Sequence, residues 1–167
     1  CFIDINYGQI INLTLKDVEF KASNESNTEN LYLAGFVCTN RGIIEGCTIS
    51  GEIIAEKLNG NYVSGAFAGG ICTTNYGEIH QCSNIATVSV EAYDSAYAGG
   101  IVGQNGQNGI IDDCYNIGEI ITFINDIYNA YTYAGGIVGR NNGQIKTSYN
   151  IGVIESRRNS NLLGAYS

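Results

Sequence analysis

His80 and Cys82 are the two residues whose side chains could do nucleophilic chemistry together, because an imidazole can activate a thiol. His80 is the only histidine in the chain, and Cys82 follows it by two residues. The repeat described below assigns Cys82 to an inward column and His80 to an outward strand position. We therefore expect the two side chains to point apart, and the sequence predicts no Cys–His catalytic pair.

Acidic residues gather near one predicted strand and could supply the acid and the base of a glycoside hydrolase. The available charged groups are Glu45, Glu78, Asp112, Asp113 and Lys146. Outward carboxylates also keep an edge-rich β protein soluble, and this is the interpretation that we favour. The glycines of 99–103 lack the Gly-Lys-Ser/Thr ending of a phosphate loop. We predict no catalytic residue, no enzyme activity and no cofactor.

Three of the six cysteines share one position of the repeat. Cys47, Cys82 and Cys114 fall in a predicted inward column that Leu13 and Ser148 also occupy. Because leucine and serine substitute there, the column is a packing position. We predict buried and unpaired thiols, since a free cysteine packs as a small apolar group.

The remaining cysteines, Cys1, Cys38 and Cys72, fall in different columns, so no disulfide framework emerges. A Cys38–Cys72 bridge between adjacent coils remains open. A zinc site is not predicted, because the chain has no Cys-x-x-Cys pair and only one histidine. Calcium is not implied either, because the repeat lacks the Gly-x-Asp pattern of calcium-binding β-rolls.

The elements that position all of these side chains are repeats marked by a short motif of small and apolar residues. One copy is Ala98-Gly99-Gly100-Ile101-Val102, and we call this motif the glycine phrase. It occurs four times, at 33–37, 68–72, 98–102 and 134–138. A near-fixed period of this kind is the signature of a solenoid. The sequence predicts an all-β fold, a right-handed parallel β-helix of about five coils with little or no helix. The approximate coils are 1–30, 31–65, 66–95, 96–131 and 132–167, and we expect this single domain to be a piece of a longer array.

Aligned repeats predict chemically distinct columns that stack about 4.8 Å apart. An asparagine column contains Asn6, Asn40, Asn75, Asn105 and Asn141, whose amides we expect to hydrogen-bond along the stack. Glycines two residues later, Gly8, Gly42, Gly77 and Gly143, are expected to supply the positive φ of a tight corner. An inward isoleucine column and a second asparagine column, Asn84, Asn116 and Asn150, follow. Segments 54–66, 89–96 and 121–132 vary in length, and we expect loops there.

An aromatic column precedes the repeated phrase and is the candidate ligand or partner surface. It contains Tyr32, Phe67, Tyr97 and Tyr133, and Tyr115 with Tyr149 forms a shorter one. Stacked rings stabilise neighbouring coils by about 0.2–1 kcal/mol per contact. If the column is exposed, it forms an aromatic strip suited to sugar faces or to another protein.

Composition and charge exclude several classes of function. The formal net charge is −8, whereas nucleic acids and anionic membranes are bound by clustered lysine and arginine. No apolar run is long enough to span a membrane. We therefore expect no nucleic-acid partner and no membrane insertion within this segment.

The string Ala-Gly-Gly-Ile-Val-Gly-Arg-Asn-Asn-Gly-Gln-Ile-Lys-Thr-Ser-Tyr-Asn-Ile-Gly-Val-Ile at 134–154 closely resembles the GLUG repeat. Residues 98–120 and 68–88 resemble it as well, 33–53 more loosely and 2–20 in part. The resemblance implies a β-solenoid segment of a bacterial surface or secreted protein, such as an adhesin or the non-catalytic region of an IgA-peptidase-like protease. The repeat motif is structural and implies no catalytic residue.

The function that we expect is non-catalytic: a rigid, adhesin-like stalk in an extracellular or cell-surface protein, presenting a recognition surface to a host glycan or protein. One alternative is an accessory region of a secreted protease or glycan-active enzyme. Another is a filament that forms by end-to-end stacking of the solenoid with itself, since the open edge of a β-structure can pair with a second copy.

Overall fold

A computed structural model of the chain describes residues 1–26, 28–59, 64–125 and 131–158. These residues form 22 β-strands and no helix. The all-β expectation is therefore confirmed. Within the same residues there is no helical segment of the length and hydropathy that crossing a membrane requires.

The strands follow one another in five successive coils. The first two coils contain β1 (Ile3–Asn6), β2 (Gln9–Ile11), β3 (Thr14–Asn24), β4 (Leu31–Ala34), β5 (Val37–Asn40), β6 (Ile43–Glu45) and β7 (Thr48–Lys57). The third contains β8 (Gly65–Gly69), β9 (Cys72–Asn75), β10 (Glu78–His80), β11 (Ser83–Asn84) and β12 (Thr87–Ala92). The last two contain β13 (Ser95–Gly99), β14 (Val102–Asn105), β15 (Ile110–Asp112), β16 (Tyr115–Asn116), β17 (Ile120–Ile124), β18 (Tyr131–Gly135), β19 (Val138–Asn141), β20 (Gln144–Lys146), β21 (Tyr149–Asn150) and β22 (Ile154–Arg158).

Strands of successive coils pair in parallel and form four sheets, which we call faces A to D. Face A contains β1, β5, β9, β14 and β19, and face B contains β2, β6, β10, β15 and β20. Face C contains β3, β7, β11, β12, β16, β17, β21 and β22, and face D contains β4, β8, β13 and β18. A complete coil runs from face D through A and B to C. About four complete turns are stacked, a small difference from the five expected, and the parallel β-solenoid is confirmed.

The core lies between the four faces and is built from the predicted columns. The isoleucine column is in register on face B, and its interior members are fully buried: Ile44, Ile79 and Ile111. A second buried column closes the coil on face C: Ile53, Val88 and Ile120. Each such side chain stabilises the fold by about 1.5–3 kcal/mol, and only neighbouring coils can supply the contacts.

Asparagine amides form the predicted ladder at the corner between faces A and B. The register of face A aligns all five residues. Each Nδ2 donates to the Oδ1 of the next coil, at 2.8 Å from Asn6 to Asn40 and 2.9 Å for each of the following three steps. Four of these amides also donate to the carbonyl oxygen two residues on, as Asn75 does to Gly77 at 3.1 Å, whereas Asn105 donates to the Gly109 carbonyl four residues on at 3.2 Å. The ladder therefore both joins the coils and holds the corner.

The second asparagine column forms a shorter ladder on face C. Asn84 donates to Asn116 and Asn116 donates to Asn150, each at 2.7 Å. In the second coil the register places Ile49 at this position. The ladder is therefore confined to the third, fourth and fifth coils.

A column of residues with positive φ lies at the corner between faces B and C, one corner farther along each coil than the sequence predicted. The prediction that Gly8, Gly42, Gly77 and Gly143 have positive φ is wrong: the described residues with positive φ include none of them. Glycine is needed there because the stacked corners approach closely, and a Cβ at Gly42 would collide with the Gly8 carbonyl oxygen. The positive φ values recur instead in the column just before the cysteine column, at Asn12, Gly46, Gln81, Asp113 and Thr147.

The variable segments are only partly loops. Their first residues extend face C, because Ile54–Lys57 pairs with Ser89–Ala92, which pairs with Ile121–Ile124. The expectation of loops across these whole segments is therefore wrong. Residues 60–63 and 126–130 of the predicted loops lie outside the described residues.

Candidate functional site

Faces D and A meet at the repeated glycine phrase, and they meet at a concave angle. The Cys38 sulfur on the outer side of face A lies 3.8 Å from the carbonyl oxygen of Tyr32 on face D. A Cβ at Gly103 on face A would lie 2.8 Å from the carbonyl oxygen of Ala68 on face D. Two outer surfaces that approach this closely enclose a groove along the solenoid axis. The glycines of this corner are therefore needed for close approach of the two faces.

The predicted aromatic column forms one wall of this groove. Ring centroids are 5.2 Å apart from Tyr32 to Phe67, 4.6 Å from Phe67 to Tyr97 and 5.0 Å from Tyr97 to Tyr133. The ring planes are within 17° of parallel. The stacking is therefore confirmed, and the shorter column is confirmed on face C, where Tyr115 and Tyr149 lie 5.5 Å apart.

The exposure of the column shows what it can offer a ligand. Tyr32 and Tyr133 at its two ends are 44% and 45% exposed, and the two middle rings are half-buried. Stacked rings cover one another's faces, so the wall presents ring edges and phenol hydroxyls more than flat ring faces. Burial raises the pKa of the Tyr97 hydroxyl, which keeps it protonated as a hydrogen-bond donor.

Polar side chains form the floor of the groove on face A. Thr39, Thr74, Gln104 and Arg140 are in register on successive strands. Hydroxyl, amide and guanidinium groups therefore follow one another at the spacing of the coils. Sequence reasoning missed this column, although it immediately precedes the asparagine column and is polar in four of the five coils.

The opposite wall contains residues that follow the asparagine column, and sequence reasoning missed these as well. The Arg41 guanidinium lies over the Tyr76 ring, 4.9 Å from its centroid. Tyr7 precedes Arg41 in the same column and is 73% exposed. A cavity of about 450 Å³ lies between the two walls, lined by Tyr32, Tyr7, Tyr76, Arg41, Thr39, Thr74 and, in the first coil, Asp4.

A second, smaller cavity lies farther along the groove. It has a volume of about 260 Å³ and is lined by Tyr97, Tyr131, Tyr133 and Arg140. Tyr131 and Tyr133 lie on the same side of β18, with ring centroids 6.4 Å apart. Both cavities thus combine tyrosine rings with one arginine.

The residues with the most obvious chemistry lie elsewhere and do not form a site together. His80 contacts Glu78 on face B through Nε2 and Oε2 at 2.9 Å. Cys82 is fully buried, and its thiol donates to the backbone carbonyl of His80 at 3.1 Å. The two side chains therefore point apart, as predicted. Across the described parts of the chain, no three His, Cys, Asp or Glu side chains are grouped to hold a metal ion.

Cys47, Cys82 and Cys114 are buried and unpaired, so this prediction is confirmed. They are also hydrogen-bonded, which explains why serine shares the column. The Cys82 sulfur accepts the Cys47 amide at 3.4 Å, and the Ser148 hydroxyl accepts the Cys114 amide at 3.1 Å. The column is thus a polar ladder of small side chains as well as a packing position.

The structure contains a disulfide that sequence reasoning missed. Cys1 pairs with Cys38 between the first two coils, with their Cα atoms 5.5 Å apart. The Cys38–Cys72 bridge left open above is therefore wrong. Cys72 points inward in register with Val37 and Val102, and its burial raises the pKa of its thiol to about 12.

Comparison with protein families places a known motif on the fourth coil. The model of the GLUG motif matches residues 94–122, which span β13 to β17. Comparisons with curated proteins and with solved structures found no match. The matched coil has the same order of faces as the coils on either side of it. The chain is a parallel β-solenoid that carries the GLUG motif.

Proposed function

We propose that this solenoid is a rigid, non-catalytic binding segment of an extracellular or cell-surface protein, and that it holds a glycan chain along the groove between faces D and A. The observation that carries the proposal is the composition of the groove. Aromatic edges form one wall, and hydrogen-bonding side chains repeat along the floor at the spacing of the coils.

A linear glycan suits this arrangement for two reasons. A pyranose unit is amphipathic, with C–H groups that can contact the apolar ring edges of the wall and hydroxyls that can hydrogen-bond to its phenol groups and to the polar floor. The floor side chains are also spaced by one coil, about 4.8 Å, which is comparable to the length of one sugar unit. Thr39, Thr74 and Gln104 could therefore each serve one successive sugar.

Rigidity supports the same proposal. The asparagine ladder and the stacked rings join every coil to the next, so the floor and walls of the groove are formed before a ligand arrives. A preformed site avoids the cost of ordering side chains on binding. The same stiffness suits a stalk that holds a binding surface away from a cell.

The proposal is tested on a broad glycan array, followed by titration of each hit against Tyr133→Ala and Tyr149→Ala. Both tyrosines lie in the fifth coil at one end of a stacked column, but Tyr149 lies on face C, outside the groove. Losing Tyr133 should weaken binding about fivefold to tenfold, corresponding to about 1–1.4 kcal/mol. Tyr149→Ala should leave the affinity unchanged. An array without a signal, or equal effects of the two variants, would refute the proposal.

A further inference from the structure

We propose that the groove selects acidic glycans, and that Arg41 and Arg140 contact their carboxylate or sulfate groups. This inference rests on the proposed function, because it names the class of ligand for the same groove. Two observations carry it. One is the distribution of charge over the faces, and the other is that both arginines line the cavities without a carboxylate partner among the described residues.

Charge is strongly segregated between the groove and the rest of the solenoid. The chain has 16 Asp and Glu residues and a formal net charge of −8. From the second coil onward, no strand of face A or face D carries an acidic residue. Asp4 on β1 is the acidic residue of the first coil that borders the larger cavity. The groove is thus a neutral to cationic strip on an acidic protein.

Arg41 and Arg140 both line the groove and, among the described residues, have no carboxylate partner. Lys21 pairs with Glu56 at 2.7 Å, and Arg157 pairs with Glu155. Among the described residues, neither Arg41 nor Arg140 lies within 4.0 Å of a carboxylate oxygen. Both nevertheless line the cavities, Arg41 in the larger and Arg140 in the smaller. Their hydrogen-bonding groups are therefore free for a ligand.

The setting of each arginine favours a planar or tetrahedral anion. The Arg41 guanidinium is held over the Tyr76 ring, so less side-chain freedom is lost when a ligand binds. A guanidinium donates two parallel hydrogen bonds to a carboxylate or a sulfate. Neighbouring tyrosines and threonines supply the remaining contacts of a sugar ring. Two arginines are too few for a polyphosphate backbone, which needs many cationic contacts.

The positions of the arginines also define the length of the ligand. Arg41 follows β5 in the second coil, and Arg140 lies on β19 in the fifth. Three coil spacings separate them, about 14 Å along the axis. A single acidic monosaccharide can therefore contact only one of them. An oligosaccharide of about four units can contact both, and its affinity should gain from the two contacts together.

The test compares glycans that differ in charge alone. Sodium polygalacturonate is titrated beside its fully methyl-esterified form, and dextran sulfate beside dextran, by isothermal titration calorimetry at physiological salt. One pair probes carboxylates and the other sulfates. At least one acidic member should bind ten times more tightly than its neutral partner.

Matched variants assign the effect to the groove. Arg41→Gln and Arg140→Gln should each weaken binding of the acidic glycan about fivefold to tenfold, and binding of the neutral partner by a clearly smaller factor, because glutamine keeps a hydrogen-bond donor but loses the charge. Lys146 lies on face B of the fifth coil, outside the groove. Lys146→Gln removes the same charge there and should leave the affinity for both glycans unchanged. Circular dichroism confirms that each variant retains its β structure.

Several outcomes would overturn the inference. If neutral and acidic glycans bind equally and the arginine variants have no effect, the acidic selectivity is wrong and the glycan groove stands. If no glycan binds at all, on the array or in solution, the proposed function fails as well. If polyglutamate binds as tightly as the acidic glycans with the same dependence on Arg41 and Arg140, the ligand is an acidic protein segment and the glycan class is wrong.

Discussion

Replacement of Asn75 by alanine should reveal how much the asparagine ladder contributes to stability. Asn75 is fully buried in the middle of the ladder. Its Nδ2 donates to Asn105 Oδ1 at 2.9 Å, and its Oδ1 accepts from Asn40 Nδ2 at 2.9 Å and from the Gly77 amide at 3.2 Å. Alanine removes all of these bonds at once.

The magnitude follows from the groups that lose a partner. Asn105 Oδ1 is buried and would be left unsatisfied, at a cost of about 2–3 kcal/mol. The Gly77 amide is half-buried and should add about 1 kcal/mol. The lost bond to Asn40 costs less, because Asn40 Nδ2 still donates to the Gly42 carbonyl oxygen at 3.2 Å. We expect Asn75→Ala to lower the free energy of unfolding by about 3–4 kcal/mol.

Asn141→Ala is the matched control, because Asn141 occupies the same column but is exposed. Water can replace its bonds, so the loss should be below about 1 kcal/mol. Urea unfolding followed by far-ultraviolet circular dichroism measures both. With a denaturant slope of about 2 kcal/mol/M, the midpoint should fall by about 2 M for Asn75→Ala and by less than about 0.5 M for Asn141→Ala. Equal shifts would refute the claim that buried amides join the coils.

Three further predictions concern the backbone and the cysteines. Thr147 has a positive φ of 38°, which is unfavourable for a β-branched residue. Thr147→Asn should therefore raise the free energy of unfolding by about 1 kcal/mol and raise the melting temperature. An unchanged or lower melting temperature would contradict this. Burial raises the pKa of the Cys72 thiol from 9.0 to about 12, so its contribution to stability is complete below pH 9 and is lost as the pH rises toward 12. Stability should then fall by about 1.4 kcal/mol per pH unit in that window, relative to Cys72→Val, and parallel curves for the two proteins would rule this out. The Cys1–Cys38 disulfide links two residues that are 37 positions apart in the sequence. Its reduction should lower the free energy of unfolding in urea by about 3–4 kcal/mol. Identical midpoints for the oxidised and reduced chains would show that the bridge does not contribute.

The fold could be predicted from the sequence because stacking converts a sequence alignment into a register of strands. The asparagine ladder, the isoleucine column and the aromatic column were all found this way, since each requires like residues at the same point of every coil. The same property explains why the buried, unpaired state of Cys47, Cys82 and Cys114 was predictable.

The groove could not be predicted, because a glycine phrase marks the place of a bend and not its direction. A concave corner brings the outer sides of faces D and A together, and only then do Tyr32 and Thr74 line the same cavity. The opposite wall was missed for a different reason. Tyr7, Arg41 and Tyr76 share a column with unlike residues in other coils, so no ladder pattern marks them.

Local backbone geometry was assigned to the wrong glycines for a reason that the structure makes clear. Gly42 and Gly77 are required by the close approach of stacked corners, which a sequence cannot distinguish from a need for positive φ. The column with positive φ contains Gln81 and Thr147, which are not typical of left-handed backbone. Its members Asn12 and Gly46 were the available signal.

The most direct test of the groove as the binding site is a nuclear magnetic resonance titration of the isotope-labelled chain with an oligogalacturonate of about four units. If the groove binds the glycan, the amide signals of Thr39, Thr74, Gln104 and Arg140 on face A should shift together with increasing ligand. Signals from β10 and β15 on face B should stay in place. Shifts confined to face B or face C, with the face A signals unchanged, would contradict the account.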